Sequence, residues 1–220
     1  MRYDRLFGIF IAFIMIGSIA GIGVYNMGDD NNNDNNINNP LQQRDDAFEI
    51  NGYYFYENIQ DNSFEAIISS PSGEALAVPF RTDPRNISHI SIQEPALERI
   101  VTAEKIYLIF DPNTPTFDDD KNNVQLALGE VSRLITLVNQ NHIYPSTAIT
   151  ADIPNETYDN QIPIKTCEDA TETTNVIFFT VASVDSVTLE NDCVIVSGST
   201  SESLISTADK LGMYLVGLRV

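Results

Sequence analysis

The sequence predicts a mixed α/β (or α+β) fold behind an N-terminal transmembrane helix, and three observations carry that expectation. Leu6 to Tyr25 contains no charged residue. Two continuous apolar runs, IYLIF (106–110) and VIFFTV (176–181), have the character of strands buried on both faces. Between them Val124, Ala127, Leu128, Val131, Leu134, Ile135 and Val138 recur at three- and four-residue spacing, the stripe of an amphipathic helix. The expected division is a transmembrane anchor or signal peptide over 1–25, a flexible Asn/Asp-rich linker over 26–46, and one extracytoplasmic α/β domain over 47–220. A length of 220 residues accommodates that division and little more.

Residues 6–25, drawn out as a helix, reach roughly 30 Å, the thickness of a hydrocarbon core. Arg2 and Arg5 precede the segment, and Asp29 and Asp30 follow it. The positive-inside rule then keeps the N-terminus in the cytoplasm and sends the remainder outside. A cleaved signal competes with this reading, because Ser18 and Ala20 suit the −3 and −1 positions before Gly21. The apolar stretch continues to Val24 and Tyr25, which favours retention. The following NMGDDNNNDNNINN (26–39) has too little apolar surface to offset the entropy of ordering and reads as a solvated tether.

Beyond the tether, FEINGYYFY (48–56), FEAIISS (64–70) and EALAVPF (74–80) read as three strands of an antiparallel meander. Asp61-Asn62 and Pro71-Ser72-Gly73 supply the turns between them. Ile87 to Ile92 alternates and suggests an edge strand. Pro95 fits the first turn of a short helix that carries Leu97, Ile100 and Val101. The two apolar runs and the helix between them suggest a parallel crossover, with 142–164 an irregular excursion. Val187–Leu189 and Cys193–Val196 suggest a strand pair. Ser199 with Glu202 reads as a capping box for a last helix whose stripe is Leu204, Ala208, Leu211 and Leu215.

Composition excludes several functions. Twelve basic against 31 acidic residues give a net charge of −19, which repels phosphate backbones and argues against nucleic acid as a partner. Two His and two Cys are too few for a zinc finger, a three-histidine site or an iron–sulfur cluster, and no cofactor is expected. Cys167 and Cys193 both lie in the outer segment, where an even count makes a disulfide the default. Closing that loop stabilises the fold by roughly 3 kcal/mol in the chain-entropy model. Asn86-Ile87-Ser88 and Asn155-Glu156-Thr157 are glycosylation sequons on an exported chain.

Catalytic and metal signals are weak. Asp118-Asp119-Asp120, with Asp111 before them, supply hard oxygen atoms for calcium, but the EF-hand spacing is missing and a solvated helix start explains them equally. Gly198-Ser199-Thr200-Ser201 is a strand-to-helix turn without the G-x-S-x-G pattern of a nucleophile elbow. His89 and His142 have no spacing that links them to a nucleophile. No catalytic or metal-ligating residue is therefore assigned.

NGYYF (51–55), IYLIFDP (106–112), Cys167 with NVIFF (175–179), NDCVIV (191–196) and ADKLGMYLVGL (208–218) together resemble a group of archaeal proteins. Members of that group carry one N-terminal membrane helix and an outer α/β domain, with no activity assigned. Asn175 stands where the pattern has Pro, and Lys210 where it has Arg. The resemblance implies an archaeal envelope protein with Cys167 bridged to Cys193. The expected role is binding or structural, at the cell membrane through residues 6–25, with an envelope protein or glycan as partner. The alternative is a hydrolase with its site at the strand ends near Asp111 and Ser199.

Overall fold

A computed structural model describes residues 47–69, 75–138, 144–151 and 162–220, with the side chains of 69 and 115–121 excepted. The predicted membrane segment (1–25) and linker (26–46) lie outside the described residues, as do His142 and Asn155. Among the described residues no helix is long and apolar enough to cross a membrane. The fold is mixed α/β with two sheets and three helices among the described residues. It divides into two compact units between Asp83 and Pro84.

The smaller unit is the expected antiparallel meander, β1 (Ala47–Ile50), β2 (Tyr53–Asn58), β3 (Ser63–Ser69) and β4 (Ala75–Phe80), in sequential order. One expectation needs correcting: 48–56 is two strands, not one. Asn51 and Gly52 have φ of 51° and 87°, the left-handed pair that closes a two-residue hairpin and that Asn-Gly adopts most readily. Ile50 then pairs with Tyr53. Phe48, Phe55, Ala66 and Val78 fall in one row across all four strands. The Phe48 ring stacks on Phe55 at 5.9 Å and meets Phe64 edge-on at 6.3 Å. On the opposite face the Tyr56 hydroxyl donates to the Glu65 carboxylate, and Asn58 Nδ2 donates to Glu65 Oε1 at 3.1 Å. Period-two alternation thus puts Phe48, Phe55, Ala66 and Val78 on one side of the sheet and Tyr56, Asn58 and Glu65 on the other.

The larger unit holds β5 (Ser91–Ile92), α1 (Glu94–Thr102), β6 (Lys105–Phe110), α2 (Pro115–Val138), β7 (Ser146–Ile149), β8 (Thr174–Val181), β9 (Ser186–Glu190), β10 (Cys193–Gly198) and α3 (Ser201–Leu215). Its sheet runs β5-β9-β10-β8-β6-β7. β7, β6, β8 and β10 are mutually parallel, and β9 is antiparallel to β10. Two sequence expectations change here. The irregular 142–164 contains β7, so α2 crosses from β6 to β7, and β8 then joins the other side of β6. The edge strand of 87–92 shrinks to Ser91–Ile92, because the 3-10 turn Pro84–Asn86 and the bends after it use the preceding residues.

Side-chain alternation along the strands sorts the core into two faces. Ile106, Leu108, Ile177, Phe179, Val194 and Val196 lie under all three helices, against Leu97 and Ile100 of α1, Leu128 and Val131 of α2, and Leu204 and Leu211 of α3. Each such side chain, fully buried, contributes about 1.5–3 kcal/mol before entropy is counted. The other face carries a smaller cluster of Ile109, Ala148, Val176 and Cys193, flanked by Tyr107, Cys167, Phe178 and Ile195. β10 enters α3 through Gly198. A Cβ there would meet the backbone of Leu204 and the Thr200 carbonyl, all inside 3.0 Å, so only glycine allows the helix to start so close to the strand.

Candidate functional site

In an open parallel sheet the ligand crevice lies beyond the carboxyl ends of the strands, where neighbouring connections leave in opposite directions. Here that point is between β6, whose chain goes on to β7, and β8, whose chain goes on to β9 and β10. Asp111 follows β6 directly. Its Oδ1 accepts from the Asn113 amide at 2.9 Å, and Thr114 Oγ1 donates to its carbonyl at 3.2 Å, so the residue organises the turn into α2. Ser199 follows β10. Since β8 stands between them, β6 and β10 are about 9–10 Å apart, and β10 runs two residues further, Gly198 standing level with Val181 and Phe110 with Phe179.

The structure instead gathers a cluster around Asp185, in the turn between β8 and β9. One carboxylate oxygen accepts from the Ser199 amide and from Ser203 Oγ, the latter at 2.8 Å. The other stands 3.2 Å from His89 Nε2. The Asp185 side chain is 12% exposed and His89 62% exposed. Partial burial pushes the Asp185 carboxyl up, but the hydrogen bonds from Ser199, Ser203 and His89 outweigh it and hold the carboxyl below its ordinary value. A negative group at the start of α3 also complements the helix dipole.

Serine, histidine and aspartate therefore meet, but in an order unsuited to nucleophilic catalysis. That chemistry needs imidazole between hydroxyl and carboxylate, so that the base takes the serine proton. Here the carboxylate lies in the middle and receives the hydroxyl directly. The cluster works as a staple joining the 86–90 loop, the β8–β9 turn and the first turn of α3. The cap of α3 also corrects the expected Ser199–Glu202 box. Thr200 is the N-cap, its hydroxyl accepting from the Ser203 amide while Ser203 Oγ accepts from the Thr200 amide. The shift follows from Asp185, which already holds the Ser199 amide.

Lys210 fixes the same loop from beneath. Its ammonium, on a residue only 3% exposed, donates to the carbonyls of Ile87 and Ile90 at 2.9 Å and of Ser88 at 3.4 Å. Burial lowers its pKa. This leaves Asn86 exposed at the end of the 3-10 turn, with Ser88 of the sequon exposed beside it. Asn155 lies outside the described residues.

On the sheet face away from the helices, the Cys167 and Cys193 sulfurs are at disulfide distance, with Cα atoms 5.2 Å apart. Cys193 opens β10, and Cys167 opens the 3-10 turn Cys167–Asp169. That turn has its own capping box. The Thr166 side chain accepts from the Glu168 amide, and Asp169 accepts from the Thr166 amide at 2.9 Å. Lys165 donates to Asp169 at 2.7 Å, a bond that holds the Asp169 carboxyl below its ordinary value and the Lys165 ammonium above it. The Lys105 and Lys165 ammonium groups lie 4.8 and 5.4 Å from the centre of the Tyr107 ring.

Asp118–Asp120 fall in the first turns of α2, but their side chains lie outside the described ones. Among the described residues no three His, Cys, Asp or Glu side chains gather as metal ligands. Asp185, His89, Ser203 and Lys210 were not singled out by spacing, because their partners lie far away in the chain; His89 and Asp185 are 96 residues apart. Compared with family models, curated proteins and solved structures, the chain matches none.

Proposed function

We propose that the chain is a membrane-anchored cell-envelope protein, held by residues 6–25, whose acidic outer domain binds an envelope protein or glycan. The observation that carries this reading is the Cys167–Cys193 pair. Thiols persist as disulfides in oxidising compartments, and a buried half-cystine at the start of a central strand makes the bridge part of the fold. The exposed Asn86 sequon and the uncharged run of residues 6–25 agree with export. Asn86 and Asn155 are the proposed glycan attachment points. For the hydrolase alternative no observation speaks specifically: Asp111 is bonded into its own turn, and the Ser199 amide is held by Asp185.

The test is protease treatment of intact cells, followed by intact mass of the membrane-extracted chain before and after reduction. The expected result is loss of the outer domain from intact cells, full retention of residues 1–25, and a gain of two hydrogens on reduction. A domain that resists protease until the cells are lysed, or free thiols in the native protein, overturns the reading.

A further inference from the structure

Asn175 is the second residue of β8 and is 0% exposed. Ile177 and Phe179, two and four residues on, belong to the core under the helices, so the period of two turns the Asn175 side chain into that apolar layer. Its register partner across the sheet is Ile106, itself fully buried. Among the described residues neither Nδ2 nor Oδ1 of Asn175 has a hydrogen-bond partner. A second buried atom in the same condition is Arg99 Nε. The Arg99 guanidinium is fixed beside the same strand end, with Nη1 donating to the Glu172 carbonyl at 2.8 Å and Nη2 to the Thr174 carbonyl at 3.4 Å.

An amide and a guanidinium nitrogen, each buried at the amino end of β8, rarely stay unpaired in folded proteins, because each has lost its solvent bonds. We propose that Asn175 and Arg99 form the polar wall of an internal hydration site at the amino end of β8. The ligand is water: it accepts from Arg99 Nε and Asn175 Nδ2 and donates to Asn175 Oδ1. Three partners are what a buried water typically takes. The site ties α1 to the central strand through a group that neither element supplies.

The test is 17O relaxation dispersion of the solvent over the purified full chain, wild type against Asn175→Leu and Arg99→Met. Wild type is expected to hold one more long-lived water than Asn175→Leu, and one more than Arg99→Met. Equal dispersion in wild type and Asn175→Leu overturns the site, and a loss confined to Asn175→Leu removes Arg99 from it. Should the variants fail to fold, wild type alone decides. The Asn175 side-chain amide protons are then expected to give a cross-relaxation peak to water with the sign of a long-residence contact, and absence of that peak overturns the proposal.

Discussion

The two sheets of this protein are held in register by different means. In the smaller unit every strand pairs with its neighbour in sequence, and left-handed residues at the turns set the alignment: Asn51 and Gly52 between β1 and β2, and Asn62 between β2 and β3. In the larger unit, apart from the β9–β10 hairpin that Asn191 and Asp192 close at φ 47° and 66°, the order β5-β9-β10-β8-β6-β7 joins segments distant in the chain. Its alignment rests on tertiary features: the approach of β10 to α3 at Gly198, the Cys167–Cys193 pair, and the Asp185 staple. Local turn chemistry suffices for a meander, because each hairpin closes a short loop at small entropic cost. A parallel sheet has no such shortcut, and single residues far apart in sequence carry its geometry.

The largest effect should therefore come from Gly198→Ala. The new methyl group would overlap backbone atoms that cannot rotate away, and the expected loss is about 4 kcal/mol or more. Hydrogen exchange gives the sharper readout: amides of β6, β8 and β10 lose protection while those of β2 and β3 keep theirs. Equal loss in both sheets would break the distinction between the units. Next comes the double variant Cys167→Ala, Cys193→Ala, expected to lose roughly 3 kcal/mol in denaturant unfolding. Reduction of the wild type should reproduce it. For the smaller unit the matching change is Gly52→Ala, at φ 87°, with a loss of about 1–2 kcal/mol confined to protection of β1 and β2.

The same contrast decides what was legible in the sequence. Burial on both faces makes a continuous apolar run, so β6 and β8 stand out as IYLIF and VIFFTV, and the stripe from Val124 to Val138 marks α2. β7 did not stand out, because Ser146–Ile149 is only four residues long and just Ala148 and Ile149 are buried. Asn51-Gly52 carries a strong hairpin signal, hidden by the aromatic residues that follow and extend the apparent strand. The candidate site was less legible than the fold. Asp111 and Ser199 sit at strand ends as expected, but Asp185 resembles any other surface aspartate until β9 brings it to the start of α3. The helix cap moved by one residue for the same reason. A contact across 96 residues leaves no periodic trace.

The smallest effect separates the staple from the disulfide by its dependence on pH. Asp185, held below the ordinary carboxylate value by the Ser199, Ser203 and His89 bonds that outweigh its burial, binds a proton less readily folded than unfolded. Its stability contribution is thus complete above the unfolded value of about 3.8 and is lost as pH falls through the lower folded one. Asp185→Asn keeps an oxygen to accept from the Ser199 amide and Ser203 but gives up the charge beside the α3 terminus and His89. The expected cost near neutral pH is about 1 kcal/mol. Because the wild-type carboxylate is itself neutralised in acid, the gap between the two proteins should close as pH drops below 4. A gap that stays constant with pH would mean that Asp185 acts by shape alone. The loss in the cysteine variant, by contrast, contains no titrating group and should run parallel to wild type over the same range, so the two curves distinguish an electrostatic tie from a covalent one within a single unit.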